Sequence, residues 1–257
     1  MRVLMVGDVV GKPGRQALAE ILPRLRKDLK IDLAVVQGEN IAAGFGLTRD
    51  TVGELLSAGA DVITTGNHVW DRKEFLPQLD QSELPVIRPM NYPATAPGRG
   101  YIDLGHVVVV NLIGRVFIGE ADSPFAVVDR FLKTPAAVGR PILVDFHAEA
   151  TSEKQAMGWY LDGRVAAVVG THTHVATADP RILPKGTAYI TDLGMVGPMD
   201  SVIGMETEDA LYRFLNNVPR HLRVAGGRCR FNSVLIELDD STGLPGAIDR
   251  IDREFVP

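Results

Sequence analysis

The sequence predicts an α/β sandwich of two sheets. Short β-branched and aliphatic runs recur along all 257 residues, a length that suits one large core. Helical periodicities alternate with these runs early, whereas strands dominate later, a balance that favours two stacked sheets over a simple doubly wound sheet. No internal repeat, low-complexity tract or linker divides the chain, so residues 1–257 read as one domain.

Val3 to Val6 is an apolar strand ending at Gly7-Asp8. Leu18 to Leu29 has helical spacing, with Pro23 placed to kink or split it. Arg15, Arg24, Arg26, Lys27 and Lys30 read as its solvated face. Leu33 to Val36 is a buried strand leading to Gly38-Glu39-Asn40, and Thr48 caps a helix running to about Leu56. Val62 to Thr65 leads to Gly66-Asn67-His68. Pro85 to Gly100 is loop, rich in Pro, Gly and Ala, with a short extended piece. Val107 to Leu112 is a strand, and Ser123 with Pro124 opens a helix through Leu132. Strands follow at Pro141 to Phe146, Val165 to Val169, Ala188 to Thr191 and Val234 to Leu238. The Gly- and Met-rich loop Met195 to Met205 is a candidate lid.

Composition excludes some function classes. Apolar residues at 46% and charged residues at 23% are ordinary for a globular protein. The net charge of −5 argues against a stable nucleic-acid complex, which needs concentrated Lys and Arg. Bound metals could still supply local positive charge for a small phosphorylated substrate. Cys229 stands alone, so no intrachain disulfide framework exists, and it reads as a strand residue. No apolar run approaches the roughly 18 residues of a membrane span. The N-terminus lacks a signal peptide's apolar stretch, so we read a cytoplasmic protein without a membrane partner. Homo-oligomerisation stays open. His106 and His221 read as surface or structural residues.

Five strands end alike: at Asp8, at Glu39-Asn40, at Asn67-His68, at His147, and at His172 and His174. Ligands in open α/β sheets gather beyond the carboxyl ends of strands, so parallel neighbours would bring these residues together. Any one of them could simply satisfy loop backbone. Metal-capable residues after five separate strands make a metal site the better reading. Carboxylate, carboxamide and imidazole donors without thiolate suit Mn, Fe, Zn or Ni rather than a Cys-rich structural zinc site. Glu39 is the candidate bridge between two ions, because its side chain is long.

Gly7-Asp8, Gly38-Glu39-Asn40, Gly66-Asn67-His68, His147 and Gly170-Thr171-His172-Thr173-His174 resemble the five ordered motifs of calcineurin-like metallophosphoesterases. The chain departs from the general pattern at Val10, Glu39 and Val69, where a His, an Asp and an acidic residue are usual. Those departures resemble the bacterial YmdB-type phosphodiesterases. So do Gly7-Asp8-Val9-Val10-Gly11, the segment Gln37 to Gly44, Thr65 to Trp70, Arg88 to Pro93 and Thr191 to Pro198. The resemblance spans nearly the whole chain. It implies a four-layer α/β/β/α sandwich of the metallophosphoesterase type. It also implies that Asp8, Asn40 and His174 hold one ion, that Asn67, His147 and His172 hold a second, and that Glu39 bridges them. Two divalent or mixed-valence ions are expected, Fe or Mn first and Zn as the alternative.

Two ions roughly 3.5–4 Å apart can generate a hydroxide and clamp phosphoryl oxygens. His68, beside Asn67, is the candidate catalytic acid or leaving-group stabiliser, since imidazole titrates near neutrality; the bland alternative is a residue that only orients a neighbour. Phe45 could stack a base, although a packed loop aromatic is the better reading. The resemblance points to small phosphodiesters, 2′,3′-cyclic nucleotides above all. Two other readings use the same residues: a phosphomonoesterase or protein phosphatase, and a regulatory protein with incidental catalysis. A Gly-x-Ser-x-Gly elbow, a Gly-x-x-x-x-Gly-Lys loop and a Gly-x-Gly-x-x-Gly turn are all missing.

Overall fold

The computed structural model describes Met1–Pro257 as a mixed α/β fold with three sheets. The first sheet has the order Pro245–Arg250, Ser233–Leu238, Arg2–Val6, Leu33–Gln37, Val62–Thr64. Its last three strands are parallel, and Ser233–Leu238 joins antiparallel to Arg2–Val6. The second sheet has the order Tyr101–Asp103, Val108–Ile113, Ile142–His147, Ala167–Thr171, Ala188–Ile190, Arg181–Ile182. Its four central strands are parallel. The five strands that lead to the candidate residues are thus parallel within each sheet but divided between two sheets.

Strand alternation sends side chains to opposite faces, and both faces of each large sheet are buried. Val3, Met5, Leu33, Val35 and Val62 pack with Val109, Leu143, Ala167 and Val169 of the second sheet in one core. Leu4, Val6, Ala34, Val36 and Ile63 instead pack with Leu18, Leu22, Val52 and Leu55. On its far face the second sheet packs Val110, Val144 and Val168 with Val128, Phe131, Met157 and Leu161.

The helix expected at Leu18–Leu29 extends over Gly11–Asp28. Its first turns escaped notice because Gly11, Lys12, Pro13 and Gly14 hide the period, yet Gly11 and Gly14 are buried there. Gly14 is required by space: a Cβ would lie 2.3 Å from the Val196 carbonyl oxygen. Pro23 lies inside the helix at an exposed position, where water can satisfy the carbonyl it leaves unpaired. The expected solvated face is mixed. Arg24, Lys27 and Lys30 are exposed, but Arg15 donates to the Ile41 carbonyl and pairs with Glu54, and Arg26 donates to the Gly59 carbonyl.

The helices at Arg49–Ser57 and Pro124–Phe131 start where the caps Thr48 and Ser123 place them. Two helices lacked a readable signal. Thr151–Leu161 turns Lys154 inward with Met157 and Leu161, which breaks the apolar stripe. Thr207–Asn216 buries only Asp209 and Ala210 and leaves Phe214 and Leu215 exposed. A small third sheet, not anticipated, pairs Asp8–Val9 with Met195–Pro198, which continues to Cys229–Phe231 and Arg253–Phe255. Met195–Pro198, the start of the candidate lid, is therefore a sheet strand. No helix is long and apolar enough to cross a membrane.

Candidate metal centre

His147 closes the strand Ile142–His147 and is fully buried. Its Nε2 lies 2.9 Å from Glu39 Oε1, 3.1 Å from Asn67 Oδ1 and 3.0 Å from His172 Nδ1. One ligand atom each from Glu39, His147 and His172 falls within 4.8 Å of the others. Glu39 follows the strand Leu33–Gln37, and Asn67 starts a short 3-10 helix that ends at Trp70. Carboxylate, carboxamide and imidazole atoms facing one another present lone pairs without enough protons to share, an arrangement that a cation resolves.

Space forces one residue choice here. A Cβ at Gly66 would lie 2.2 Å from His147 Cδ2 and 2.5 Å from Glu39 Oε2. Only glycine lets the Asn67 backbone approach this closely.

Asp8 begins the strand Asp8–Val9 and is fully buried. Its Oδ2 accepts from the His172 amide at 3.2 Å. Its Oδ1 has no hydrogen-bond partner and lies 3.8 Å from His174 Nε2 and 3.9 Å from His147 Nδ1. Asn40 Oδ1 is the other buried orphan, while Asn40 Nδ2 donates to the Gly44 carbonyl. Buried polar atoms are seldom left unpaired, so two orphaned oxygens on two candidate ligands fit a cation. Direct contacts join Asp8, Glu39, Asn67, His147 and His172, with His174 beside Asp8; Asn40 is tied in through its neighbour Glu39 and its own orphaned oxygen.

The two histidines of the last motif have left-handed backbones, with φ of 100° at His172 and 63° at His174. Such strain in non-glycine residues gathers at functional sites. Hydrogen bonds select the nitrogen each ring offers. His174 Nδ1 donates to the Ile203 carbonyl at 2.8 Å, which leaves Nε2 toward Asp8. His172 Nε2 lies 3.0 Å from Glu149 Oε2, which leaves Nδ1 toward His147. A carboxylate or carbonyl behind a histidine is the usual way to fix a metal-binding tautomer.

The charges are strongly coupled. Burial alone would lower the His147 pKa, but Glu39, by charge and hydrogen bond, and then Asp8 and Asp145 raise it to about 9. Burial alone would raise Glu39, yet His147 pulls it down to about 2. Both shifts describe one ion pair. Burial and the His147 charge push His172 down to about 3. Burial raises Asp8. Asp145 is raised by burial to about 7, against hydrogen bonds from Thr64 and Thr171.

His68 donates its amide to Glu39 Oε2 at 2.9 Å, while its ring turns away. His68 Nδ1 lies 2.8 Å from Asp71 Oδ2, and Phe45 packs edge-on at 5.0 Å between centroids. Phe45 is half-buried in that contact, in line with a packed loop aromatic. Asp71 thus sets a carboxylate beside His68, where Val69 offers none. His106 and His221 are exposed and outside the cluster. Sequence reasoning missed Asp145, Glu149 and Asp71 around the site, and gave no role to Gln37 and Thr171, whose side chains each lie 3.0 Å from His147 Nδ1. A carboxylate inside the apolar run of Ile142–His147, two residues from His147 and so on the same face, was a readable signal for Asp145.

Residues 4–251 match the model of a family described as YmdB-like protein. A 2′,3′-cyclic-nucleotide 2′-phosphodiesterase of Bacillus subtilis (strain 168) is 48% identical over 98% of this chain and 96% of the relative. A crystal structure of a hypothetical protein from Thermus thermophilus superposes with a TM-score of 0.92 at 43% identity, over 100% of both chains. A crystal structure described as a novel phosphatase from Mycoplasma pneumoniae gives 0.90 at 33% identity, over 99% of this chain and 93% of the other.

Proposed function

The chain belongs to the YmdB-like protein family, and from that premise we propose that it opens 2′,3′-cyclic nucleotides at a two-metal centre. It is a phosphoric ester hydrolase of the phosphodiesterase kind. The convergence of Glu39, Asn67 and His172 on His147 Nε2 carries the reading. Asp8, Asn40 and His174 would hold one ion, Asn67, His147 and His172 would hold the other, and Glu39 would serve both. The buried orphans Asp8 Oδ1 and Asn40 Oδ1 support the first set. All donors are oxygen or nitrogen, which favours Fe or Mn, with Zn as the alternative. The helix-packed outer faces of two sheets that share a core support a four-layer sandwich.

When bound, the ions supply Lewis acidity toward phosphoryl oxygens and acidify water. The protein's own groups do the rest. The Asp71 carboxylate accepts from Nδ1–H of His68, so the ring acts as an acid in its imidazolium form, giving its second proton from Nε2 to the departing ribose oxygen and keeping Nδ1–H on Asp71. The Glu149 carboxylate and Ile203 carbonyl hold the rings of His172 and His174 in their tautomers. The Bacillus relative is named as a 2′-phosphodiesterase, which supports cleavage here of the bond from phosphorus to the 2′ oxygen, with a 3′-nucleotide as product.

The test is a chelator-stripped preparation, reloaded with Mn or Fe, then given 2′,3′-cyclic AMP, bis-p-nitrophenyl phosphate and p-nitrophenyl phosphate. Metal-dependent release of 3′-AMP is expected, with the diester preferred over the monoester. Hydrolysis of the monoester with no attack on either diester would replace this reading with a phosphomonoesterase.

A further inference from the structure

Lys154 projects from the inner face of the helix Thr151–Leu161 and is 1% exposed. Its Nζ donates to Asp192 Oδ2 at 2.5 Å, and Asp192 is 1% exposed as well. The same Oδ2 accepts from the Thr173 amide at 3.2 Å and the Thr173 hydroxyl at 2.7 Å. Oδ1 accepts from the Gly194 amide at 2.8 Å. The stem of Lys154 crosses Gly170, where a Cβ would lie 3.0 Å from Lys154 Cδ and 1.8 Å from the Thr191 carbonyl oxygen. Thr173 is the one residue between His172 and His174.

A buried ion pair is a poor stabiliser, because desolvating both charges offsets much of their attraction, and apolar replacements are often neutral. Stability alone therefore does not account for a lysine threaded through the core. The strained segment above it gives a better account. Left-handed backbone in a non-glycine residue is strained and persists only where neighbours over-determine it. His172 and His174 both have it. Thr173 between them is held by amide and hydroxyl on one carboxylate oxygen, which Lys154 in turn anchors to the helix.

We propose that Lys154 and Asp192 are positioning residues of the metal centre, a buried clamp that fixes Thr173 and so aims the rings of His172 and His174. The clamp acts on the backbone of the loop and touches neither ring. It deepens the two-metal reading and rests on it for its consequence, metal affinity, though not for its geometry. Asp192→Asn does not preserve the clamp. Its single acceptor oxygen serves either Thr173 or Gly194, and its amide group then faces the other donor.

The experiment uses the full chain with Lys154→Met and Asp192→Asn combined, so that no lone charge is buried, and Thr173→Val as a milder second variant. Three quantities are measured: the melting temperature without metal, Mn affinity by calorimetry, and histidine ring 15N shifts without metal. Wild type should show His172 protonated at Nε2 and His174 at Nδ1. The double variant should fold and melt below wild type, because one buried donor loses its acceptor, lose fixed tautomers at both rings and bind Mn about 10–100-fold more weakly. Thr173→Val should move the same readouts less. Unchanged tautomers in a folded variant overturn the clamp, as does wild-type Mn affinity. If the double variant does not fold, Thr173→Val decides by the same two readouts. If wild type itself binds no Mn or Fe, the two-metal reading fails, and the ring shifts still decide whether the clamp aims the histidines.

Discussion

Glu39 Oε1 and His147 Nε2 stand 2.9 Å apart, although one residue follows a strand of the first sheet and the other ends a strand of the second. The contact joins the carboxyl ends of two sheets at one buried point. Every neighbour of that point is also an electron-pair donor, so the Glu39 carboxylate is the group whose loss should matter most. Glu39→Ala should fail to hold either ion, whereas Asp8→Ala should weaken chiefly one. Elemental analysis after dialysis, beside turnover of bis-p-nitrophenyl phosphate, reads this directly. Two retained ions with normal turnover in Glu39→Ala would rule out the bridge.

The same pair gives a pH signature to the metal-free protein. His147 titrates near 9 when folded and near 6.5 as a free side chain. The folded state therefore binds the extra proton between those values, and its stabilisation, full below pH 6.5, is lost as pH rises through about 9. Glu39 acts at the other end, losing its contribution as pH falls from 4.5 through about 2. His172, depressed to about 3, also loses stability below 6.5, while Asp145, raised to about 7, runs the opposite way there. Above pH 6.5 His147 dominates. Chelator-treated protein should lose up to a few kcal/mol of stability from pH 6.5 to 9, read as a falling melting temperature. Metal-loaded protein should not, because ions bind deprotonated imidazole. A flat profile without metal would contradict the ion pair.

The cluster of candidate residues was legible in the sequence for a physical reason. Asp8, Glu39, Asn67 and His147 each follow an apolar run closely enough to mark a strand end, and strand ends are where sites form. The residues that aim them were hidden. Lys154 on a helix reads as surface, and only the structure turns it inward onto Asp192. Glu149 and Asp71 are ordinary loop acids until the fold brings them to His172 and His68. Division of the five strands between two sheets was also hidden, because pairing partners are not encoded in any one run. The small sheet escaped because its Asp8–Val9 strand is two residues long.

Glu149 tests the tautomer argument. Its carboxylate sits 3.0 Å from His172 Nε2 and is half exposed, so its removal should leave the fold intact. Glu149→Ala should weaken metal binding about 10–100-fold, the usual effect of losing a group that orients a ligand. Glu149→Gln keeps an acceptor oxygen and should recover most of that loss. Calorimetric titration with Mn separates the two. Equal affinities in wild type and Glu149→Ala would mean that the contact is incidental.

Gly66 should be intolerant of any side chain. The Cβ of Gly66→Ala would lie 2.3 Å from His147 Nε2, so the imidazole or the Asn67 backbone must shift. Overpacking of this kind costs about 1–3 kcal/mol. The variant should melt lower and lose metal together, unlike Glu149→Ala. A variant with wild-type metal content would show that the Asn67 turn has freedom the packing does not suggest.

His68 separates proton transfer from metal binding. Its amide is tied to Glu39, but its ring points to Asp71 and is free of the cluster of lone pairs. His68→Ala should therefore keep both ions and lose about 10²–10⁴-fold in turnover, the range for removing a general acid. The loss should shrink as the leaving group becomes more acidic, because such a group departs without a proton. A ribose hydroxyl is a poor leaving group and p-nitrophenolate a good one, so 2′,3′-cyclic AMP should suffer far more than bis-p-nitrophenyl phosphate. Asp71→Asn should fall between wild type and His68→Ala on the cyclic nucleotide, since the ring keeps its place but loses the negative charge opposite its imidazolium form. Equal losses on both substrates, with chemistry limiting in each, would remove His68 from leaving-group departure. Loss of metal from His68→Ala would instead assign its weight to the backbone contact with Glu39.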